Sequence, residues 1–208
     1  MKQIVCFGDS NTYGYIPGQG GRFDEQTRWT ALLAQKLASK GYEVIEQGCN
    51  GRTTVFDDPK SPERNGSKVL ERLFKTLPQP SHMIIMLGTN DCKRQFHADA
   101  ADITEGMALL VSMIHLYWVD TEIWLLSPAP LAEGAVEEAN GAQFSAEGIR
   151  HSHELAAHYR ELARTHNCHF LCVGDLVSVD PSDGVHLNAA SHRKLAEALE
   201  GLLAPQIP

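Results

Sequence analysis

The chain has 208 residues, of which 43% are hydrophobic and 21% are charged, and a chain of this composition and length can bury a full core. The length favours one large domain, spanning residues 1–208, over two small ones. The formal net charge of −8 argues against a nucleic-acid partner, because binding to phosphates requires a basic surface.

Five cysteines occur without any Cys-x-x-Cys pair, which argues against a zinc ribbon and against a thiol redox motif. No apolar run approaches the roughly 18 residues that a membrane span requires. The N-terminus enters the first predicted strand without a signal-like apolar segment. These features predict a cytoplasmic protein with reduced thiols and no membrane partner.

Five apolar segments alternate with amphipathic segments along the chain. The predicted strands are Ile4–Cys6, Glu43–Glu46, His82–Leu87, Glu122–Leu126 and His169–Val173. The predicted helices begin near Trp29, Ser67, Ile103, Ala146 and Asn188. Such alternation is typical of right-handed β-α-β units, so we expect an α/β fold, a three-layer α/β/α sandwich with a five-stranded parallel sheet of flavodoxin-like type. An acidic insertion at residues 131–143 is predicted to be mobile.

Turns that carry polar residues or glycine follow four of these strands. Because the carboxyl ends of parallel strands meet at one edge of a sheet, where ligands bind, we expect these turns to lie close together. The residues that they carry are Ser10, Gly51, Asn90 and the pair Asp183 and His186.

These residue types suit acyl transfer through a serine nucleophile. A serine hydroxyl attacks well only when an imidazole removes its proton. In Asp183-x-x-His186 the carboxylate can reach the imidazole Nδ1, which leaves Nε2 free to face Ser10. The N–H groups of Ser10 and Gly51 and the side-chain amide of Asn90 could then stabilise an oxyanion. This mechanism needs neither a metal nor a cofactor.

Each of these signals also has a simpler interpretation. A Gly-Asp-Ser turn and a Gly-Thr-Asn-Asp turn can serve as caps, and ten histidines make one histidine near an aspartate unremarkable. A flavodoxin-like binding module is therefore the alternative that involves no catalysis, although it would not need a serine and an Asp-x-x-His at one edge. His151 and His153 lie two positions apart on a predicted helix and face different directions, which argues against a metal site.

The ordered set of motifs resembles that of the SGNH/GDSL hydrolase family, whose four blocks centre on Ser, Gly, Asn and His. No Gly-x-Ser-x-Gly elbow surrounds Ser10, which disfavours the α/β-hydrolase fold. The matching stretches are Gly8-Asp9-Ser10, Gly51, Gly88-Thr89-Asn90-Asp91 and Asp183-Gly184-Val185-His186-Leu187.

Further stretches resemble the bacterial arylesterase/acyltransferase branch of this family. They are Phe7-Gly8-Asp9-Ser10-x-Thr12-x-Gly14, Arg28-Trp29-Thr30, Arg52-Thr53-Thr54 and Ile84-Ile85-Met86-Leu87-Gly88-Thr89-Asn90-Asp91.

This resemblance implies a serine esterase that takes small-molecule esters of short acyl groups with aryl or alkyl alcohols and forms an acyl-enzyme on Ser10. It also implies acyl transfer to alcohols and assembly into a homo-oligomer. A carbohydrate acetylesterase, a lysophospholipase or a thioesterase could use the same triad, so these alternatives stay open. We expect Asp9, Tyr13, Tyr15 and Trp29, which lie near the nucleophile in the sequence, to contact the substrate.

Overall fold

The five predicted strands form one parallel sheet in a computed structural model that describes residues 2–59, 61–136 and 143–203. The strands are β1 (Lys2–Gly8), β2 (Tyr42–Gly48), β3 (His82–Met86), β4 (Glu122–Ser127) and β5 (His169–Cys172). Their order across the sheet is β2-β1-β3-β4-β5, and each neighbouring pair is parallel. The turn that follows β1 is therefore flanked by the turns that follow β2 and β3.

Helices cover both faces of the sheet. Those of eight residues or more are α2 (Trp29–Ala38), α3 (Gly66–Thr76), α4 (Ala100–Tyr117), α5 (Ala146–Thr165) and α6 (Ala189–Leu203). Apolar side chains of α3, α4 and α5 form one buried cluster with Val5 and Phe7 of β1, and those of α2 and α6 form another with Ile4 and Cys6. This alternation along β1 is that of a strand covered on both sides. The prediction of a three-layer fold with a five-stranded parallel sheet is confirmed.

A short helix that the sequence analysis did not predict follows β1. Helix α1 (Ser10–Tyr13) begins at the predicted nucleophile, and the Asp9 side chain caps it by accepting a hydrogen bond of 2.9 Å from the N–H of Asn11. Gly14, with φ of 89°, ends it in the left-handed region. Four residues are too few to show a helical period, so only the capping residue could have indicated this helix.

The insertion predicted at residues 131–143 is only partly among the described residues, because residues 137–142 lie outside them. Leu131 and Ala135 are buried, and residues 133–136 form a 3-10 turn. The N–H of Ala132 donates a 2.9 Å hydrogen bond to the carbonyl oxygen of Gly184. The described start of the insertion is therefore packed against the turn that carries Asp183 and His186, which corrects the expectation of mobility for residues 131–136.

The described residues contain neither a helix that could span a membrane nor a cluster of metal ligands. No helix among them has the length and hydropathy to cross a bilayer. Within the same ranges, no group of three or more His, Cys, Asp or Glu side chains could hold a metal ion. All five cysteines are free thiols.

Two helical glycines allow a test of the packing between α5 and the turn that follows β3. A methyl group added at Gly148 would lie 2.4 Å from the backbone oxygen of Cys92, whereas one at Gly201 would meet no described atom within 4 Å. We expect Gly148→Ala to lower the free energy of unfolding by about 1–3 kcal/mol through overpacking. Gly201→Ala, the matched control, should raise it by about 0.5–1 kcal/mol. Urea unfolding monitored by circular dichroism measures both, and equal effects would contradict the packing described.

Candidate active site

The Ser10 hydroxyl lies at the carboxyl edge of the sheet, two residues after the end of β1. Ser10 is the first residue of α1, and its Oγ lies 2.9 Å from Nε2 of His186. A contact of this length lets the imidazole remove the hydroxyl proton as the oxygen attacks. The two residues are 176 positions apart in the chain, so the fold, and not local sequence, brings them together.

Asp183 orients the imidazole from its other side. Its Oδ2 lies 2.7 Å from Nδ1 of His186 and accepts a 3.2 Å hydrogen bond from the N–H of Gly18, while its Oδ1 accepts from the N–H groups of Val185 and His186 at 2.9 Å. Burial acts to raise the pKa of Asp183, but the hydrogen bonds and charge of His186 and the backbone donors lower it to about 2. The carboxylate is therefore ionised wherever the imidazole can act as a base.

The three predicted oxyanion donors line the same cleft. Ser10, Gly51 and Asn90 all border it, and the Asn90 Nδ2 donates a 3.1 Å hydrogen bond to the carbonyl oxygen of Arg52. This bond orients the Asn90 side-chain amide. Gly51 has φ of 82°, in the left-handed region that strains any residue with a side chain, and the atoms nearest to an added methyl group belong to the flexible Arg64 side chain.

Known proteins resemble this chain in sequence and in fold. Residues 6–194 match the GDSL-like Lipase/Acylhydrolase family. The chain belongs to this family. It is 35% identical to the native M. smegmatis aryl esterase, with 100% of both chains covered and a TM-score of 0.91. It is 34% identical to Est24, a carbohydrate acetylesterase from Sinorhizobium meliloti, with 99% of this chain and 100% of that chain covered and a TM-score of 0.90.

A curated plant relative is more distant. A GDSL esterase/lipase of Arabidopsis thaliana is 26% identical over 145 residues, which are 64% of this chain and 53% of that protein. The match therefore spans about half the length of the plant relative. The predicted resemblance to the SGNH/GDSL family and to its arylesterase branch is confirmed, and the comparisons support a carboxylic ester hydrolase.

Two buried carboxyl groups, those of Asp9 and Asp91, lie near the predicted nucleophile. Burial raises the pKa of both Asp9 and Asp91 to about 6, against the opposing effect of their hydrogen bonds. Oδ1 of Asp91 accepts from both the N–H and the hydroxyl of Thr54, at 2.8 and 2.5 Å. Asp9 is 1% exposed, caps α1 and approaches Asn90 Nδ2 at 3.5 Å. Asp9 therefore has no surface to offer a substrate, which corrects its predicted role.

The three aromatic residues predicted to bind substrate occupy different places. Tyr15 borders the cleft, and its ring centroid lies 4.4 Å from that of His186. Tyr13 does not border the cleft, and its ring lies under the guanidinium of Arg22 at 4.7 Å. Trp29 is fully buried, with its Nε1 donating a 3.0 Å hydrogen bond to the carbonyl oxygen of Asn11. The expectation of substrate contact is therefore corrected for Tyr13 and Trp29, which serve packing.

The cleft has a volume of about 600 Å³, and sequence reasoning missed several residues that border it. A cavity of about 710 Å³ also exists between the start of α4 and α5, but neither Ser10 nor His186 borders it. The missed residues lie on loops and short turns, where no periodic pattern indicates which side chain faces the cleft. The missed side chains are those of Gln19, Asn50, Arg64, Lys93, Gln143, Phe144 and Val185.

We expect Asp183→Asn to fold but to lose control of the His186 tautomer, with kcat for 4-nitrophenyl acetate lower by up to about 10⁴-fold. Stability gives an independent check. The folded pKa of about 2 lies below the ordinary 3.8, so ionised Asp183 stabilises the fold above pH about 4, and this contribution is lost as the pH falls towards 2. The variant should lose less stability than the wild type over that range in thermal unfolding. Identical acid profiles would contradict the assigned pKa.

Proposed function

We propose that this chain is a serine esterase that hydrolyses esters of short acyl groups with aryl or alkyl alcohols, with residues 1–208 acting as one catalytic domain. The observation that carries the proposal is the continuous chain of contacts from Ser10 Oγ to His186 Nε2, at 2.9 Å, and from His186 Nδ1 to Asp183 Oδ2, at 2.7 Å. A ligand-binding module would have no use for this arrangement.

In the first half of the reaction, Ser10 Oγ attacks the ester carbonyl carbon while His186 Nε2 takes the hydroxyl proton. The negative charge that develops on the carbonyl oxygen is stabilised by the N–H groups of Ser10 and Gly51 and by the Asn90 amide. Asp183 stabilises the imidazolium. His186 then protonates the departing alcohol oxygen, the bond from the carbonyl carbon to that oxygen breaks, and the acyl group remains on Ser10.

In the second half, His186 takes a proton from water as the water oxygen attacks the acyl carbon. The bond from that carbon to Ser10 Oγ then breaks, His186 returns the proton to Ser10 Oγ, and the acid is released. An alcohol in place of this water gives a new ester, so acyl transfer uses the same groups. The balance between hydrolysis and transfer depends on how well the cleft holds an alcohol relative to water. We include acyl transfer in the proposal on this ground.

The cleft lining favours a small acyl group and a polar alcohol. Among the described residues its apolar side chains are few, chiefly Tyr15, Phe144 and Val185, while six others carry amide or cationic groups. A long acyl chain of a lysophospholipid or thioester would lack apolar surface to contact. A carbohydrate acetylesterase is therefore the second candidate, since amides and cations suit sugar hydroxyls, and Est24 carries that name.

We also propose a cytoplasmic homo-oligomer. Five free cysteines fit a reducing compartment. Apolar side chains that are 50–71% exposed lie along α4 and just after it, and a contact between copies could cover them. The exposed side chains are Leu109, Leu116, Tyr117 and Val119.

The esterase proposal is tested by labelling and by substrate range. A fluorophosphonate should modify Ser10 stoichiometrically, and Ser10→Ala should fold but lose nearly all activity, because a triad acts as a unit. A panel of 4-nitrophenyl esters of increasing chain length, assayed beside acetylated sugars, should show a preference for short acyl groups. Labelling at another residue, or an active Ser10→Ala, would rule the mechanism out.

The oxyanion donors are tested by Asn90→Ala. Loss of a side-chain donor of this kind costs about 10²–10³ in kcat, and KM should change little because the charge develops only in the transition state. Asn50→Ala, a matched change at another amide in the cleft, should leave kcat close to that of the wild type. If Asn90→Ala altered KM alone, Asn90 would bind the ground state instead.

A further inference from the structure

The nucleophile and its base come from parts of the sheet that are not adjacent. Two strands, β3 and β4, separate β1 from β5. Since neighbouring strands lie about 4.8 Å apart, the ends of β1 and β5 are separated by about 14 Å. Residues 173–187 therefore have to cross the edge of the sheet to bring His186 to Ser10. Something must hold this segment at the end of β1, because a contact of 2.9 Å allows little displacement.

The Asn11 side chain makes two hydrogen bonds to this crossing segment. Its Nδ2 donates to the carbonyl oxygen of Val185 at 3.2 Å, and its Oδ1 accepts from the N–H of Leu187 at 2.9 Å. The two bonded residues are the neighbours of His186 on either side. Asn11 itself follows Ser10 directly and is 4% exposed.

A carboxamide of this length offers both a donor and an acceptor to such a pair without any change in protonation. A carboxylate would keep the bond from Leu187 but would place a second acceptor against the Val185 carbonyl. An apolar side chain would leave both backbone groups without these bonds, which is unfavourable for buried polar groups. Asn11 is therefore chemically matched to the backbone on both sides of His186.

The Asp183–His186 pair does not depend on Asn11. Its members are three residues apart, and Asp183 also accepts from two N–H groups of the same turn. The carbonyl oxygen of His186 accepts a 2.7 Å hydrogen bond from the N–H of Asp180, which closes the turn on itself. Loss of the Asn11 bonds would thus leave the turn internally intact and change its position relative to Ser10.

We propose that Asn11 is a positioning residue that sets the distance between Ser10 Oγ and His186 Nε2. The inference rests on the proposed serine esterase function. It assigns Asn11 no contact with the substrate or the reacting atoms. Its effect should appear in the rate of the chemical step and not in substrate binding, because a base displaced by about 1 Å can cost up to about 10²-fold in rate.

The test compares the kinetics of Asn11→Ala with those of the wild type on 4-nitrophenyl acetate. We expect kcat to fall by about 10- to 100-fold with KM nearly unchanged, and labelling of Ser10 by a fluorophosphonate to slow in parallel. The downfield proton resonance of the Nδ1–H shared by His186 and Asp183 should persist. A merely structural role would instead broaden or remove that resonance as the turn became disordered.

Thr121→Val is the matched control for lost stability. The Thr121 hydroxyl is buried and donates a 2.7 Å hydrogen bond to the carbonyl oxygen of Pro80, at the opposite end of the sheet from the cleft. This variant loses one buried side-chain-to-backbone bond, so its melting temperature should fall while kcat stays at the wild-type value. If it lost kcat as strongly as Asn11→Ala, the effect would be general and the inference would be overturned.

Asn11→Asp tests the same inference if Asn11→Ala does not fold. It has nearly the same shape and should also lower kcat while KM and the downfield resonance are retained. Wild-type kcat in a folded Asn11 variant, or loss of activity together with the resonance, would refute the positioning role. Failure of the esterase proposal is distinguishable, since the wild type itself would then neither hydrolyse esters nor label at Ser10.

Discussion

The contact between Ser10 and His186 is the interaction that the rest of the site depends on. It joins residues from near the two ends of the chain, and the parallel sheet makes it possible because all the strands end at one edge. The position of β1 between β2 and β3 places the nucleophile beside the turns that carry Gly51 and Asn90. Two of the three proposed oxyanion donors therefore come from the turns after the neighbouring strands, whereas the proposed base has to reach the site from beyond the edge strand β5.

The carboxyl groups in this small region have pKa values that are shifted in opposite directions. Asp183 has a pKa of about 2, because an imidazole and backbone N–H groups offset its burial. Burial dominates at Asp9 and Asp91, where it raises the pKa to about 6. The buried guanidinium of Arg52, which donates to the carbonyl oxygen of Gly8 at 3.0 Å, supplies a positive charge near Asp9. The carboxylate that contacts the imidazole is thus the one that stays ionised to the lowest pH.

The sequence predicts those features whose signal is local. The strands lie where the sequence has continuous apolar runs, and the helices lie where it has a clear helical period. The motifs lie at the strand ends, as predicted, and the Asp-x-x-His spacing indicates a contact within one turn. The burial of Trp29 could not be predicted from the sequence, because a large aromatic residue near a nucleophile can line a cleft or fill the core. The same holds for Arg64 and Lys93, which border the cleft from loops. Their orientation follows from contacts between distant segments.

The position of the nucleophile depends finally on two residues that lack side chains. A methyl group added at Gly8 would lie 2.1 Å from the Thr12 hydroxyl, and one added at Gly48 would lie 2.2 Å from the backbone nitrogen of Tyr13. Both glycines end strands, so α1 can rest directly on the edge formed by β1 and β2. A larger residue at either position would lift this helix, and with it Ser10. The close approach of α1 to the ends of β1 and β2 therefore requires glycine at both positions.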